Sequence, residues 1–202
     1  SCMLIAYGIS KVIMSSLADK ANPKLYMAMG LLLCALVNVM LGFSTSFWMF
    51  AALVVMNGLF QGMGVGPSFI TIANWFPRKE RGMVGAFWNI SHNIGGGIVA
   101  PIVGMALATL GTDHWQAATY QVPAAIAIVF ALVVLYLVKG SPVSEGLPAL
   151  AQMFPEEKDE SKKNVELAAP ENMSAWQIFT TYVLKNKNAW FISFVDVFVY
   201  MV

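Results

Sequence analysis

The chain has 202 residues, of which 58% are hydrophobic and only 11% charged, with a formal net charge of +1. A mean hydropathy of +0.66 excludes an ordinary soluble domain and describes an integral membrane protein embedded in lipid, and a balance so close to neutral offers no basic field for nucleic acid. The two cysteines, Cys2 and Cys34, stand in separate apolar stretches and read as packing or lipid-facing residues rather than a disulfide.

The sequence opens inside an apolar run that reaches about residue 18 and closes inside another, so it is expected to be a piece of a longer protein. Between Lys24 and Arg78 there is no Asp, Glu, Lys or Arg. About 20 apolar residues cross a bilayer core, so this stretch crosses and returns. Its hinge is polar and uncharged (Gly42, Ser44, Thr45, Ser46), while Lys20 and Lys24 flank one end and Arg78, Lys79 and Arg81 the other. The positive-inside rule puts those ends in the cytoplasm and the hinge outside. Two more uncharged stretches, 82–112 and 114–138, meet at Gly111, Thr112 and Asp113, a joint without Lys or Arg and therefore external. The predicted helices are a partial one over 1–18, full spans over 25–43, 47–75, 83–110 and 119–138, and a further one starting near 188. A barrel is excluded by the length of the runs and their lack of period-two alternation.

The region 139–187 breaks the pattern. It holds most of the acidic residues, including EEKDESKK at 156–163, and Pro142, Pro148, Pro155 and Pro170 punctuate it. It reads as a solvated cytoplasmic linker between two membrane regions, 1–138 and 188–202. Its last part differs: Ser174 and Gln177 form a capping-box pattern, and Trp176, Phe179 and Tyr182 are spaced to lie along the membrane surface.

Several polar residues fall inside the apolar runs. On a helix rising 1.5 Å per residue His92 lies roughly 16 Å beyond Arg81, near the bilayer midplane. Asn89, His92 and Asn93 share a face, and Gly85 and Gly96 extend it. Such a stripe either glues neighbouring helices together or lines a pathway, the default for an ionisable residue at that depth. Tyr7 and Lys11 form a second pair, one turn apart, with Lys11 roughly 12 Å inside Asp19. Lys11 either faces a cavity, where it suits an anion, or snorkels to the surface. Asn57 and Gln61 share a third face, beside Gly58 and Gly62 in small-xxx-small spacing, and GMGVGP at 62–67 is expected to loosen its helix. No metal-ligand cluster, nucleophile–base pair or phosphate-binding glycine loop stands in a soluble segment, and Gly95 to Gly97 are intramembrane. Neither an enzyme nor a cofactor is expected.

A hydrophobic half-bundle, short basic loops and a long cytoplasmic linker make the plan of a transporter built from two repeated halves. YGISKVIMSSLADKANPK from Tyr7, FQGMG from Phe60, NWFPRKERG from Asn74, WNISHNIGGG from Trp88, WQIF from Trp176 and YVLKNK from Tyr182 resemble the organophosphate:phosphate antiporters of the major facilitator superfamily. That family includes glycerol-3-phosphate and hexose-phosphate transporters and a hexose-phosphate sensor. The resemblance implies an all-α membrane fold, with this chain covering helices two (in part) to six of the N-terminal half, the central loop and the start of helix seven. It implies exchange of a phosphate ester for inorganic phosphate by a monomer in a bacterial plasma membrane. A non-transporting sensor that signals through a kinase, or a proton-coupled carrier, is the alternative.

By the same resemblance Tyr7, Lys11, Gln61, Asn89, His92, Asn93 and Tyr200 lie on the substrate pathway, and an arginine on each of helices one and seven lies outside this sequence. Val65 replaces a tryptophan of the glycerol-3-phosphate transporters, which tilts the expected substrate toward hexose 6-phosphate. Asp196 stands where the family has a neutral amide, and would pair with a cation such as Lys11 or mark proton coupling. Asp19, Lys20, Arg78 and Arg81 resemble the cytoplasmic gate of the superfamily, with topology alone as the other reading.

Overall fold

The computed structural model describes residues 2–19, 21–154, 180, 184–188, 190–191 and 194–195, and among them there is no strand. Lys20, Asp196 and Tyr200 lie outside the described residues, as do the capping box at 174–177 and the charge run at 156–163. The chain divides into two units, 1–157 and 158–202.

In the first unit α1 (Cys2–Ala18) leads to α2 (Pro23–Leu41), which starts where two local signals coincide. The side chain of Asn22 accepts a hydrogen bond from the Lys24 amide at 3.1 Å, and Pro23 occupies the first turn, where its missing N–H costs nothing. The long apolar run at 47–75 is expected to be one helix. It divides into α3 (Phe47–Gln61) and α4 (Val65–Trp75), joined by a tight 3-10 turn over Gly62–Gly64. α4 stops at Phe76, whose extended backbone (φ −119°, ψ 136°) is what a residue before proline prefers. Pro77 then opens α5 (Arg78–Leu110), which begins five residues before the expected start and carries Glu80 in its first turn, favourably placed for the helix dipole. With 33 residues it is about 50 Å long, more than a hydrocarbon core requires. It ends at Gly111 (φ 86°), a conformation that disfavours any side chain.

A wide π turn over Ala117–Gln121 precedes α6 (Val122–Leu137), next to Pro123, which has no N–H to return to the preceding turn. A short 3-10 turn (Val143–Glu145) and α7 (Leu150–Met153) complete the described part of this unit. Among the described residues four segments are long and apolar enough to cross a membrane: Pro23–Leu41, Phe47–Trp75, Arg78–Leu110 and Ala117–Leu137. Many large apolar side chains among the described residues point outward, as a lipid solvent allows, and Phe43, Phe47 and Trp48 are exposed together at the α2–α3 hinge.

The buried core lies among α1 to α4 and where α6 packs on α2, with Ala124 and Ala131 of α6 buried. Ala18, Tyr26 and Met63 form one cluster, near the α1–α2 turn, and Val37, Leu41 and Leu53 another, toward the α2–α3 hinge. Glycines set the closest approaches. A Cβ on Gly62 would stand 2.7 Å from Ser10 Cβ, one on Gly66 2.9 Å from Ser15 Cα, and one on Gly30 2.8 Å from Met63 Cβ. Gly62, one of the expected small-xxx-small pair, and Gly66, one turn further on, thus stand against α1, and Gly58, the other member of that pair, is buried. The hydroxyl of buried Ser10 donates to the Leu59 carbonyl in the same contact. Between α2 and α3 the Asn38 amide donates to Cys34 O (2.8 Å) and to Oδ1 of buried Asn57 (3.2 Å). At the α2–α3 hinge Gln116 donates to the Ser44 carbonyl (2.9 Å) and Gln121 covers Gly42, tying the π turn to that hinge.

In the second unit residues 187–188, 190–191 and 194–195 are helical, and Asn186 accepts from the Asn188 amide at 3.0 Å.

Candidate functional site

α5 packs loosely. It docks on α4 through Phe69, whose ring lies 4.8 Å from that of Trp88 and opposite Gly85. Gly85, expected on the polar stripe, thus serves the α4 contact. Further along, Gly95, Gly96 and Gly97 have nothing within 4 Å of where a Cβ would be. Each glycine inside a helix costs about 1 kcal/mol relative to alanine, and Pro101, four residues past Gly97, removes one more backbone bond.

Between this stretch, α1 and the end of α3 lies an open cavity of about 400 Å³, lined by Tyr7, Gln61, Ser91, His92, Gly95, Gly96 and Val99. Three of the residues expected on the pathway, from three different helices, meet there. Lys11 is not on the lining but stands next to it, its ammonium 4.5 Å from the centroid of the Tyr7 ring. The ring face attracts the cation. Asn89 and Asn93 are exposed one turn apart on α5, with the Asn93 amide 3.4 Å from the Asn89 carbonyl, and are not on the lining. Asn57 and Gln61 part company: Asn57 turns to Asn38 in the core and Gln61 to the cavity. Ser91 and Val99 are lining residues without a distinctive signal in the sequence, apart from the spacing of Val99 one helical repeat beyond His92.

At the α4–α5 corner Arg81 donates to the carbonyls of Phe76 (2.9 Å) and Ala73 (3.0 Å), so its cation sits on the C-terminal end of α4. Arg78 and Asp19 are both exposed. Among the described residues no three His, Cys, Asp or Glu side chains gather as metal ligands.

Several membrane-length helices, an open cavity with one cation, Lys11, beside it, and the other charges of the described helices at their ends define a polytopic membrane protein of transporter type. The profile of the Major Facilitator Superfamily matches residues 1–202. The chain is 76% identical, over its whole length, to the phosphoglycerate transporter protein of Salmonella typhimurium, of which it covers 44%. It is 39% identical to the glycerol-3-phosphate transporter of Bacillus subtilis (98% of this chain, 44% of the relative). To the hexose-6-phosphate:phosphate antiporter of Escherichia coli it is 37% identical (98% of this chain, 43% of the relative). The chain belongs to the major facilitator superfamily, and these relatives are organophosphate transporters, the branch its motifs resemble. It spans less than half the length of the relatives it matches.

Proposed function

We propose that the full-length protein moves an organophosphate across a bacterial plasma membrane in exchange for inorganic phosphate, by alternating access and as a monomer, without covalent chemistry. The observation that carries this reading is the convergence of Tyr7, Gln61 and His92 on one cavity, with Lys11 beside it against the Tyr7 ring. Hydrogen-bond donors on three helices, together with a cation, suit a phosphate ester, whose oxygens accept several charge-assisted bonds at once. Asn89 and Asn93 extend the pathway along α5, and Tyr200 and Asp196 would add to it from the second membrane region. Asp19, Lys20, Arg78 and Arg81 act at the cytoplasmic gate. Residues 1–138 form one membrane half, 139–187 the linker and 188–202 the start of the other half.

The substrate follows from the 76% relative more than from Val65. A phosphorylated three-carbon acid of the phosphoglycerate type is the first choice, and hexose 6-phosphate, favoured by the sequence motifs alone, is the second. Proteoliposomes containing the full-length protein and preloaded with inorganic phosphate should take up labelled 3-phosphoglycerate and release phosphate in return. Faster exchange of glucose 6-phosphate would reverse the order of substrates. Binding without exchange would favour a sensor.

A further inference from the structure

The corner between α4 and α5 grips the chain where it leaves α6. Asn74 donates through its side-chain amide to the Gly140 carbonyl at 2.9 Å, and the Trp75 indole N–H donates to the Lys139 carbonyl at 2.7 Å. Gly140 also lies against the α1–α2 turn, where a Cβ would stand 3.6 Å from Pro23 Cδ and 3.8 Å from Asn22 Oδ1. Three cytoplasmic connections therefore meet at one point. The next residues fold back on it rather than depart. Pro142 is buried, and its carbonyl accepts from the amides of Glu145 and Leu147, each at 3.0 Å. Lys139 Nζ pairs with Glu145 at 3.0 Å, and Gly146 makes the reversal with φ 76°.

We infer that Asn74 and Trp75 form a clamp that makes residues 139–147 part of the helical bundle, so that the linker starts mechanically at Pro148 rather than at the end of α6. Neither side chain faces the cavity, and α6 ends at Leu137 without needing either bond. The consequence is directional. Any pull along the linker is delivered to Trp75 at the α4–α5 corner, three residues before the start of the helix that carries His92. The clamp rests on no reading of the substrate, so failure of the transport proposal leaves it standing.

The test is limited proteolysis of the full-length protein in inside-out membrane vesicles, reading cleavage after Lys139 by trypsin and after Glu145 by a glutamate-specific protease. Cleavage needs local opening and tracks the open population. A net hydrogen bond of about 1 kcal/mol corresponds to about fivefold in that population. Trp75→Phe, which keeps the ring and loses the donor, should speed both cuts about fivefold, and Trp75→Phe with Asn74→Leu about twentyfold. If the double variant does not accumulate in the membrane, the single variant and a nitroxide at Ser144, immobilised in the parent and mobile in Trp75→Phe, decide the matter. Cleavage rates within twofold of the parent, or an equally mobile nitroxide in both proteins, would overturn the clamp.

Discussion

Gly62 and Gly64 stand two residues apart in the same 3-10 turn, and a methyl group added to each should have opposite consequences. At Gly62 the new Cβ would meet Ser10 Cβ at 2.7 Å and the Ser10 carbonyl carbon at 2.9 Å. The backbone atom cannot rotate away, so α1 must move outward. Overpacking of this kind costs about 1–3 kcal/mol. Displacing α1 also parts the Ser10 hydroxyl, fully buried, from the Leu59 carbonyl, which adds about 1–3 kcal/mol if the hydroxyl is left without a partner. The sum for Gly62→Ala is about 2–6 kcal/mol. At Gly64 nothing lies within 4 Å of the added carbon, and Gly64→Ala should be neutral or stabilise by up to about 1 kcal/mol through helix propensity. Thermal unfolding of the detergent-solubilised full-length protein, followed by loss of the monodisperse peak, reads both. Ser10→Gly should recover only part of the Gly62→Ala loss, because the backbone contact persists. Equal melting temperatures for Gly62→Ala and Gly64→Ala would refute the close approach of α1 and the α3–α4 turn.

Removing the imidazole by His92→Leu should lower phosphate-ester exchange by about 10- to 100-fold, the loss of one hydrogen bond to a charged group, while membrane abundance stays within about twofold; full exchange would make His92 a packing residue. Asn57→Leu should destabilise the solubilised protein by about 1 kcal/mol, in the range of interhelical hydrogen bonds in membranes, and Asn38→Leu with Asn57→Leu should cost less than the two single changes added; strict additivity would deny the α2–α3 amide contact. A double-mutant cycle on exchange rate with Lys11→Met and Asp196→Asn should show the double variant less impaired than the product of the single losses; multiplicative losses would leave Asp196 to another cation or to proton coupling.

Charge placement made the spans legible. The silence between Lys24 and Arg78, and the basic ends that enclose it, depend only on the cost of ions in lipid and need no tertiary information. The cavity was legible for a related reason: His92, Tyr7 and Gln61 are polar groups where hydrocarbon should be, so each needs water, a ligand or another helix. What the pattern could not supply was direction. Asn57 and Gln61 share a helical face, yet the turn at Gly62 places one against Asn38 and the other at the cavity. Gly85 belongs to the stripe of His92 by spacing, but the Phe69 ring occupies the space in front of it. The division of 47–75 and the π turn before Pro123 arise from backbone geometry that hydropathy does not register. The clamp at Asn74 and Trp75 binds backbone carbonyls 64 or more residues away, and carbonyls carry no sequence signal.

The central claim is that the cavity bounded by Tyr7, Gln61 and His92 is the path of the organophosphate. Val99 lines it and is about half exposed, so a single thiol there reports on the path without touching the polar residues. In full-length protein lacking its other cysteines, Val99→Cys should react with a small water-soluble thiosulfonate, and 3-phosphoglycerate or inorganic phosphate should slow that reaction while glycerol does not. A thiol that reacts at the same rate with and without either phosphate compound would contradict the account.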